Sequence, residues 1–460
     1  MKLSQNLNKT SDSSFLIDFF TELNQQQIIY CVLRNYDSLP NDLKGSDIDL
    51  FVKKSNFNLF HTILENCANK FGGKVISVLN APSVKDVAVT GNYNGKWWGV
   101  RFDTFTYIGT NDYSIFSNEF IISRIEFHNN IKVVKKNDAF IIGFVKEIIG
   151  AKNYSMRYAV GALKAYEEEA EIYDKALCET LSSVNVKNDL IPILNGKQHF
   201  TEKTCAIIFK GYRKKAFKKS PIQFLKNMFL NFGNKFYRLI FTPGFSVAVL
   251  GTDGAGKSTI INRLIPLLEK PLHNKISYSH MRPNLFPNIA QLFGKPYDNA
   301  LNANPHEGKQ SNFMMSLFRL TYYWVDYIIG FWVVVNLNLA KKTTIWFFDR
   351  YYYDYMIDQK RSGIKLPVWI IKFYGIFVPT PDLILCLGTE PELISSRKPE
   401  LPLDELERQV SELKSFCKTK SNAIWIDTGD KSIESTVNFA MREIIFNMAK
   451  RYDKKFTDEF

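Results

Sequence analysis

The chain has very little that would suit it to an oxidising compartment. Its six cysteines, Cys31, Cys67, Cys178, Cys205, Cys386 and Cys417, lie far apart, and no two form a C-x-x-C pair. That spacing excludes both a disulfide framework and a zinc site. The amino-terminal stretch MKLSQNLNKTSDSS lacks an apolar core, so no secretory leader is expected. The longest apolar run, YIIGFWVVV at 327–335, is too short to span a bilayer. Internal repeats and low-complexity tracts are lacking as well. What remains is ordinary for a folded protein: 460 residues, 45% hydrophobic and 23% charged, enough for two or three domains. A cytoplasmic setting is the expectation.

One segment also lacks charge of one sign. From Lys203 to Arg238 ten Lys and Arg residues occur without one Asp or Glu, within a chain of net charge +13. Phe217, Ile222, Leu225, Phe229, Phe232 and Phe236 interleave with them. Three readings are open: a basic amphipathic helix lying on an anionic membrane surface, a solvated linker face, or a nucleic-acid patch. Nucleic acid is the least expected partner, because no RNA- or DNA-binding motif accompanies the charge. TPGF at 242–245 follows directly and reads as the turn that opens the next domain.

That next domain begins with VAVLGTDGAGKST at 247–259, an apolar strand running into a glycine-rich turn. The turn matches G-x-x-x-x-G-K-[ST] in full. Gly251, Gly254 and Gly256 allow backbone angles closed to other residues, so that successive N–H groups of Asp253, Ala255 and their neighbours can face a polyphosphate. Lys257 would reach the β- and γ-phosphates and Ser258 would place a hydroxyl on Mg²⁺, with Thr259 opening the helix behind them. Ile260, Ile261, Leu264 and Leu267 form the predicted inner side of that helix. ATP and Mg²⁺ are therefore the expected ligands.

Further buried strands follow at TTIWFFDRYYYDYMID (343–358), PDLILCLGTEPELISSRKPE (381–400) and NAIWIDTG (422–429). Alternating with helices, they predict a doubly wound parallel sheet whose site lies at the carboxyl ends of its strands. In the amino-terminal part, GSDIDLFV (45–52) puts Asp47 and Asp49 two apart on a strand, hence on one face. Asp103 interrupts a second apolar strand, WWGVRFDTFTYIG. Three carboxylates on neighbouring strands suit divalent metal, and without it their burial would be costly.

Two resemblances organise these motifs. GTDGAGKST, FDRYYYD and PDLILCLGTEPELISSRK resemble thymidylate kinase and its relatives over about residues 244–450. The resemblance implies that Asp349 assists Mg²⁺ or an acceptor hydroxyl and that Arg350 bridges donor and acceptor phosphates, with Tyr351 beside them. It puts Arg397 in a mobile lid over the transferring phosphoryl, with Lys398 and Arg408 as further candidates. SHMRPNLFP (279–287) stands where thymidylate kinases carry an Arg-Glu-Pro-Gly turn, leaving His280 and Arg282 to grip the acceptor. This pattern, with DRYYYDYMID and RKPELPLDELERQ, looks like thymidylate-kinase-like proteins encoded among bacterial surface-polysaccharide genes. A sugar, polyol, glycan end or nucleoside monophosphate is then the implied acceptor.

Residues 15–135 resemble the nucleotidyltransferase superfamily related to DNA polymerase β, whose signature is a Gly-Ser turn, a spacer, Asp-x-Asp and a later Asp. In this chain Arg34 and Asn35 stand where the Gly-Ser turn is expected. The resemblance implies an α+β domain with metal on Asp47, Asp49 and Asp103. The expected organisation is a nucleotidyltransferase-like domain at 1–135, a helical region with a basic linker at 136–240, and a P-loop kinase domain at 241–460. A bifunctional Mg²⁺-dependent enzyme is the leading expectation. The alternative is an ATP-binding regulatory or assembly protein at a membrane surface, its nucleotidyltransferase module degenerate.

Overall fold

The computed structural model describes residues 10–151, 156–181, 192, 202–273, 275–292, 310–429 and 431–452. The expectations drawn from residues 1–9 and from the side chain of Cys205 lie outside the described residues. The chain divides into two compact units. The first takes in Met1–Tyr237, Lys270–His273 and Arg451–Phe460, and the second Arg238–Glu269 and Asn274–Lys450. The helical region after residue 135 thus groups with the amino-terminal unit as far as Tyr237.

The first unit is built on a mixed seven-stranded sheet. Its strands are β1 (Tyr30–Val32), β2 (Ile48–Val52), β3 (Gly73–Asn80), β4 (Val84–Tyr93), β5 (Lys96–Phe105), β8 (Ile125–His128) and β9 (Ile131–Val134), in the order β3-β4-β5-β2-β1-β9-β8. A small ribbon of β6 (Ile108–Gly109) and β7 (Ser114–Phe116) stands apart. Alternation decides what each face of the sheet carries. Ile48, Leu50 and Val52 of β2 join Phe102 of β5 in a core with Phe15, Phe19 and Phe60, under the helices Ser11–Gln25 and Phe57–Lys70. Phe51 and Phe105 face the other way, into a second core with the helices Lys136–Val145 and Met156–Leu181. Asp49 and Asp103 share the parity of Phe51 and Phe105, so they sit on this second face.

The second unit is the expected α/β sheet. β10 (Phe245–Leu250), β11 (Ser277–His280), β12 (Ile345–Asp349), β13 (Leu383–Gly388) and β14 (Ala423–Asp427) are parallel throughout, in the order β11-β12-β10-β13-β14. The first strand is central and the chain winds outward to both sides of it. The carboxyl end of β10 is therefore the point where the connections diverge and where a ligand crevice forms. Strands β10, β12 and β13 are buried along their whole length, which accounts for their uninterrupted apolar sequences.

Two details depart from the sequence-based expectation. In the helix Lys257–Leu272, Leu268 is fully buried where Leu267 was expected on the inner side. The apolar run at 327–335 is the middle of one continuous helix, Phe313–Lys341, whose stretch Asp326–Asn336 carries π-type hydrogen bonds. At 29 residues this helix is long and apolar enough to cross a membrane, and 44% of its apolar window is buried.

Candidate phosphate and carboxylate sites

The loop after β10 is preformed. Gly254 and Gly256 have φ of +86° and +89°, left-handed values that only glycine adopts without strain. A Cβ on Gly256 would meet nothing within 4 Å, so the loop encloses open space. Lys257 is the first residue of the following helix, where backbone N–H groups point at an incoming anion. Its ammonium is folded back onto the loop, donating to the Gly251 carbonyl at 3.0 Å and the Thr252 carbonyl at 2.9 Å. Burial, reinforced by the Arg350 charge, pulls the Lys257 pKa down to about 8.

Around this loop the charges are matched. Asp253 accepts from Arg350 at 2.7 Å and from Arg361, and its carboxylate is 3.7 Å from Lys257. Burial alone would raise the Asp253 pKa, but those three cations outweigh it and hold the group well below the usual carboxylate range. Arg350 has φ of +72° and a second partner in Asp354 at 2.5 Å. Such a backbone conformation in a non-glycine residue, kept in place by two ion pairs and by an N–H bond to Val249, aims the guanidinium at the loop.

Asp349 ends β12 in register with Val249 and His280. Its Oδ2 lies 3.4 Å from Ser258 Oγ and accepts from the Tyr278 hydroxyl at 2.9 Å. Its Oδ1 is buried without a hydrogen-bond partner. His280 Nδ1 stands 4.0 Å from the same carboxylate. Ile394 and Lys398 touch the loop at Gly254, and Arg397 beside them is exposed, donating to the Thr428 carbonyl at 2.8 Å. Thus the chain brings Lys257, Ser258, Asp253, Asp349, Arg350 and His280 to one crevice.

Other expected residues are placed elsewhere. Tyr351 is fully buried, and its hydroxyl donates to the Pro379 carbonyl at 2.6 Å. Arg282 is buried as well, bound to Asp326 at 2.7 Å and Asn288 at 2.6 Å and stacked over Tyr323. Arg408 pairs with Glu405 and Glu412 on its own helix. Tyr278 and Arg361 went unnoticed in the sequence. Only the parity Tyr278 shares with His280 on β11 pointed to the first, and nothing local pointed to the second.

In the first unit the acids also align. Asp49 of β2 is directly opposite Asp103 of β5, which is opposite Asp86 of β4. Asp86 was missed, its only signal being a lone acid in the run VKDVAV. Arg34 clamps Asp49 with two hydrogen bonds, Nε to Oδ2 at 2.6 Å and Nη2 to Oδ1 at 3.2 Å. Arg101 binds Asp86 and stands 3.7 Å from Asp47. Burial first, and then the charges of Asp86, Asp49 and Asp47, lift the Asp103 pKa to about 7. Asp86 rises to about 6 by burial, with Arg101 opposing. Asn35 takes the left-handed turn conformation, φ +57°, that the expected Gly-Ser pair would supply. An open polar cavity lies here, lined by Arg34, Asn35, Asp47, Asp49, Asp103 and Tyr158. Among the described residues no group of three or more His, Cys, Asp or Glu side chains is arranged to hold a metal ion.

No family model matches the chain, and no curated protein does. Among solved structures it is similar to a thymidylate kinase from Candida albicans at 19% identity and a TM-score of 0.33, over 45% of this chain and 93% of that one. It is also similar to a thymidylate kinase from Ehrlichia chaffeensis at 15% identity and a TM-score of 0.31, over 44% and 98%. At such values the activity has to be argued from the site's own residues.

Proposed function

We propose that the second unit is a Mg²⁺-dependent phosphotransferase that moves the γ-phosphoryl of ATP to a small hydroxyl-bearing acceptor. The observation that carries this is the preformed glycine loop ending on Lys257, with the unpartnered Oδ1 of Asp349 beside Ser258. A buried carboxylate oxygen without a donor is costly, and a cation removes that cost. Ser258 and Asp349 are the residues that would hold Mg²⁺, which supplies charge neutralisation for the phosphates when bound. Lys257 exchanges its two carbonyl partners for phosphate oxygens. Arg350 and Arg361, oriented by Asp253, face the charge that develops during transfer. His280 and Tyr278 border the acceptor side.

The state of Arg282 bears on the acceptor. With Asp326 and Asn288 already satisfying it, this arginine offers no free charge to an acceptor phosphate. That favours an uncharged sugar, polyol or glycan hydroxyl over a nucleoside monophosphate, in keeping with the resemblance to proteins encoded among surface-polysaccharide genes. Purified protein, γ-labelled ATP and Mg²⁺ with panels of sugars, polyols, glycans and nucleoside monophosphates test the reading. Label on an acceptor is expected, and release of free phosphate alone with every acceptor would overturn it.

For the first unit the donor set does not fit a metal as it stands. Both oxygens of Asp49 are engaged by Arg34, and among the described residues no three His, Cys, Asp or Glu side chains are arranged to hold a metal ion. No step of nucleotidyl transfer is assigned to Asp47, Asp49 and Asp103. We propose a nucleotidyltransferase-like module in which Arg34 stands in for the cation. Transfer of a labelled nucleotide to any acceptor, abolished by Asp49→Asn, would restore the bifunctional reading.

A further inference from the structure

The helix Pro221–Ile240 is inside out. Its inward side carries Phe224 and Asn227, with Asn227 donating to the Asp112 carbonyl at 3.3 Å and accepting from Gln223 at 2.8 Å. Its outward side carries Ile222, Leu225, Phe229, Phe232 and Phe236, all exposed, with Ile222 at 84%, Phe229 at 68% and Phe232 at 71%. The spacing of three and four residues aligns these five along one stripe of the helix. A helix that stabilised only its own unit would turn this stripe to the core and its amides to water. Here an unbroken apolar stripe faces solvent, the signature of a surface that docks.

Charge says on what. From Lys203 to Thr252 the sequence contains no carboxylate. Lys226 and Lys235 are exposed on the same helix, and Lys214, Lys218 and Lys219 on the preceding one, Glu202–Lys219. We propose that this helix lies in the headgroup layer of an anionic lipid bilayer, with its Ile, Leu and Phe stripe reaching the acyl boundary and its lysines at the lipid phosphates. The surface is a convex helix face and its centre is bulky and apolar. A single-stranded nucleic acid instead asks for a groove that tracks its backbone. A second copy of this chain would bring the same lysines against each other, whereas an acidic membrane neutralises them.

The test uses the full-length protein in co-sedimentation with vesicles of phosphatidylcholine alone and of phosphatidylcholine with phosphatidylglycerol. Binding to the acidic vesicles is expected, falling at least severalfold without phosphatidylglycerol or at high salt, since surface charges are screened within about 8 Å at physiological ionic strength. The double variant Phe229→Glu, Phe232→Glu changes only exposed positions. It should lose vesicle binding at least tenfold while keeping its melting temperature and ATP turnover. Lys226→Glu with Lys235→Glu should weaken binding and flatten its salt dependence. Equal binding to both vesicle types, binding to neither, or unchanged binding by the Phe variant would overturn the proposal. So would a concentration-dependent dimer that the Phe variant abolishes in protein that ignores vesicles.

Discussion

Both units gather charge on a sheet, the first on a face of its inner strands and the second at the carboxyl end of its central strand, but they compensate it differently. In the second unit the proposed anion site is made of backbone: the loop after β10 carries N–H groups, and the left-handed angles of Gly254 and Gly256 hold it open. Lys257 rests on two loop carbonyls, and the charges beside the loop are matched among themselves, Asp253 with Arg350 and Arg361. In the first unit the site is made of carboxylates, and aligned acids cannot wait uncompensated. Arg34 and Arg101 pair with them, and burial, joined at Asp103 by the charges of Asp86, Asp49 and Asp47, still raises the pKa values of Asp103 and Asp86. The lesson is that a loop of backbone dipoles leaves its charged neighbours matched to one another, whereas carboxylates aligned across strands draw in arginine partners.

The sharpest way to break that comparison is Lys257→Ala. If the second unit is the phosphate site, phosphoryl transfer should fall by about 100-fold or more, because charge on the transferring group loses its nearest partner. The melting temperature should barely change, since burial disfavours the Lys257 charge and its removal offsets the loss of its two carbonyl bonds. Arg34→Ala, measured alongside in the same labelled-ATP assay, should leave turnover unaltered. A Lys257→Ala protein as active as the parent would remove the kinase reading and with it the contrast between the two sites.

Arg34→Ala sharpens the comparison from the other side, through stability. It leaves Asp49, with its side chain 5% exposed, unpaired opposite Asp103. Breaking a buried pair by removing one partner is costly, and with Arg34 itself 30% exposed the loss should be about 2 kcal/mol in metal-free buffer. Divalent metal should recover part of it, because the freed carboxylates then need a cation. Thermal unfolding with and without Mn²⁺, both without nucleotide, measures this. A melting temperature indifferent to metal in the variant would mean that the acids cannot act as ligands even when released.

How much of this was legible depended on the range of the interaction. The phosphate loop is a contiguous motif between a strand and a helix, and it stands where the sequence put it. The side of the sheet that Asp49 occupies, shared with Phe51, followed from the period of two along β2. What could not be read were partners set by pairing across strands or loops. Arg361 meets Asp253 across 108 residues, Arg282 meets Asp326 across 44, and Asp86 reaches Asp103 only through the β4–β5 register. The pairing with Arg282 also explains the underestimated helix Phe313–Lys341, since Asp326 interrupts the apolar pattern yet is fully buried against its arginine. For Pro221–Ile240 the amphipathic pattern was plain, but a period carries no direction, and only the structure shows the apolar side outward.

The smallest predicted effect comes from Asp103, and its sign separates the two kinds of site. Its pKa is lifted from 3.8 to about 7 by burial and by three neighbouring acids. A carboxyl raised in the folded state binds its proton more tightly there than in the unfolded chain. As pH climbs from about 4 to about 7 the folded state therefore loses stability through this group, and above about pH 7 the cost is constant. Asp103→Asn keeps the shape and removes the titration. In metal-free buffer the variant should match the parent near pH 4 and exceed it by about 1 kcal/mol at pH 8, a value reduced because the side chain is partly exposed to solvent. Urea unfolding at both pH values measures the difference. If the variant is the less stable protein at pH 8, then Asp103 is held by favourable contacts and not by strain among like charges. The picture of the first unit as a carboxylate site neutralised by arginine would then fail, while the second unit's backbone cradle would be untouched.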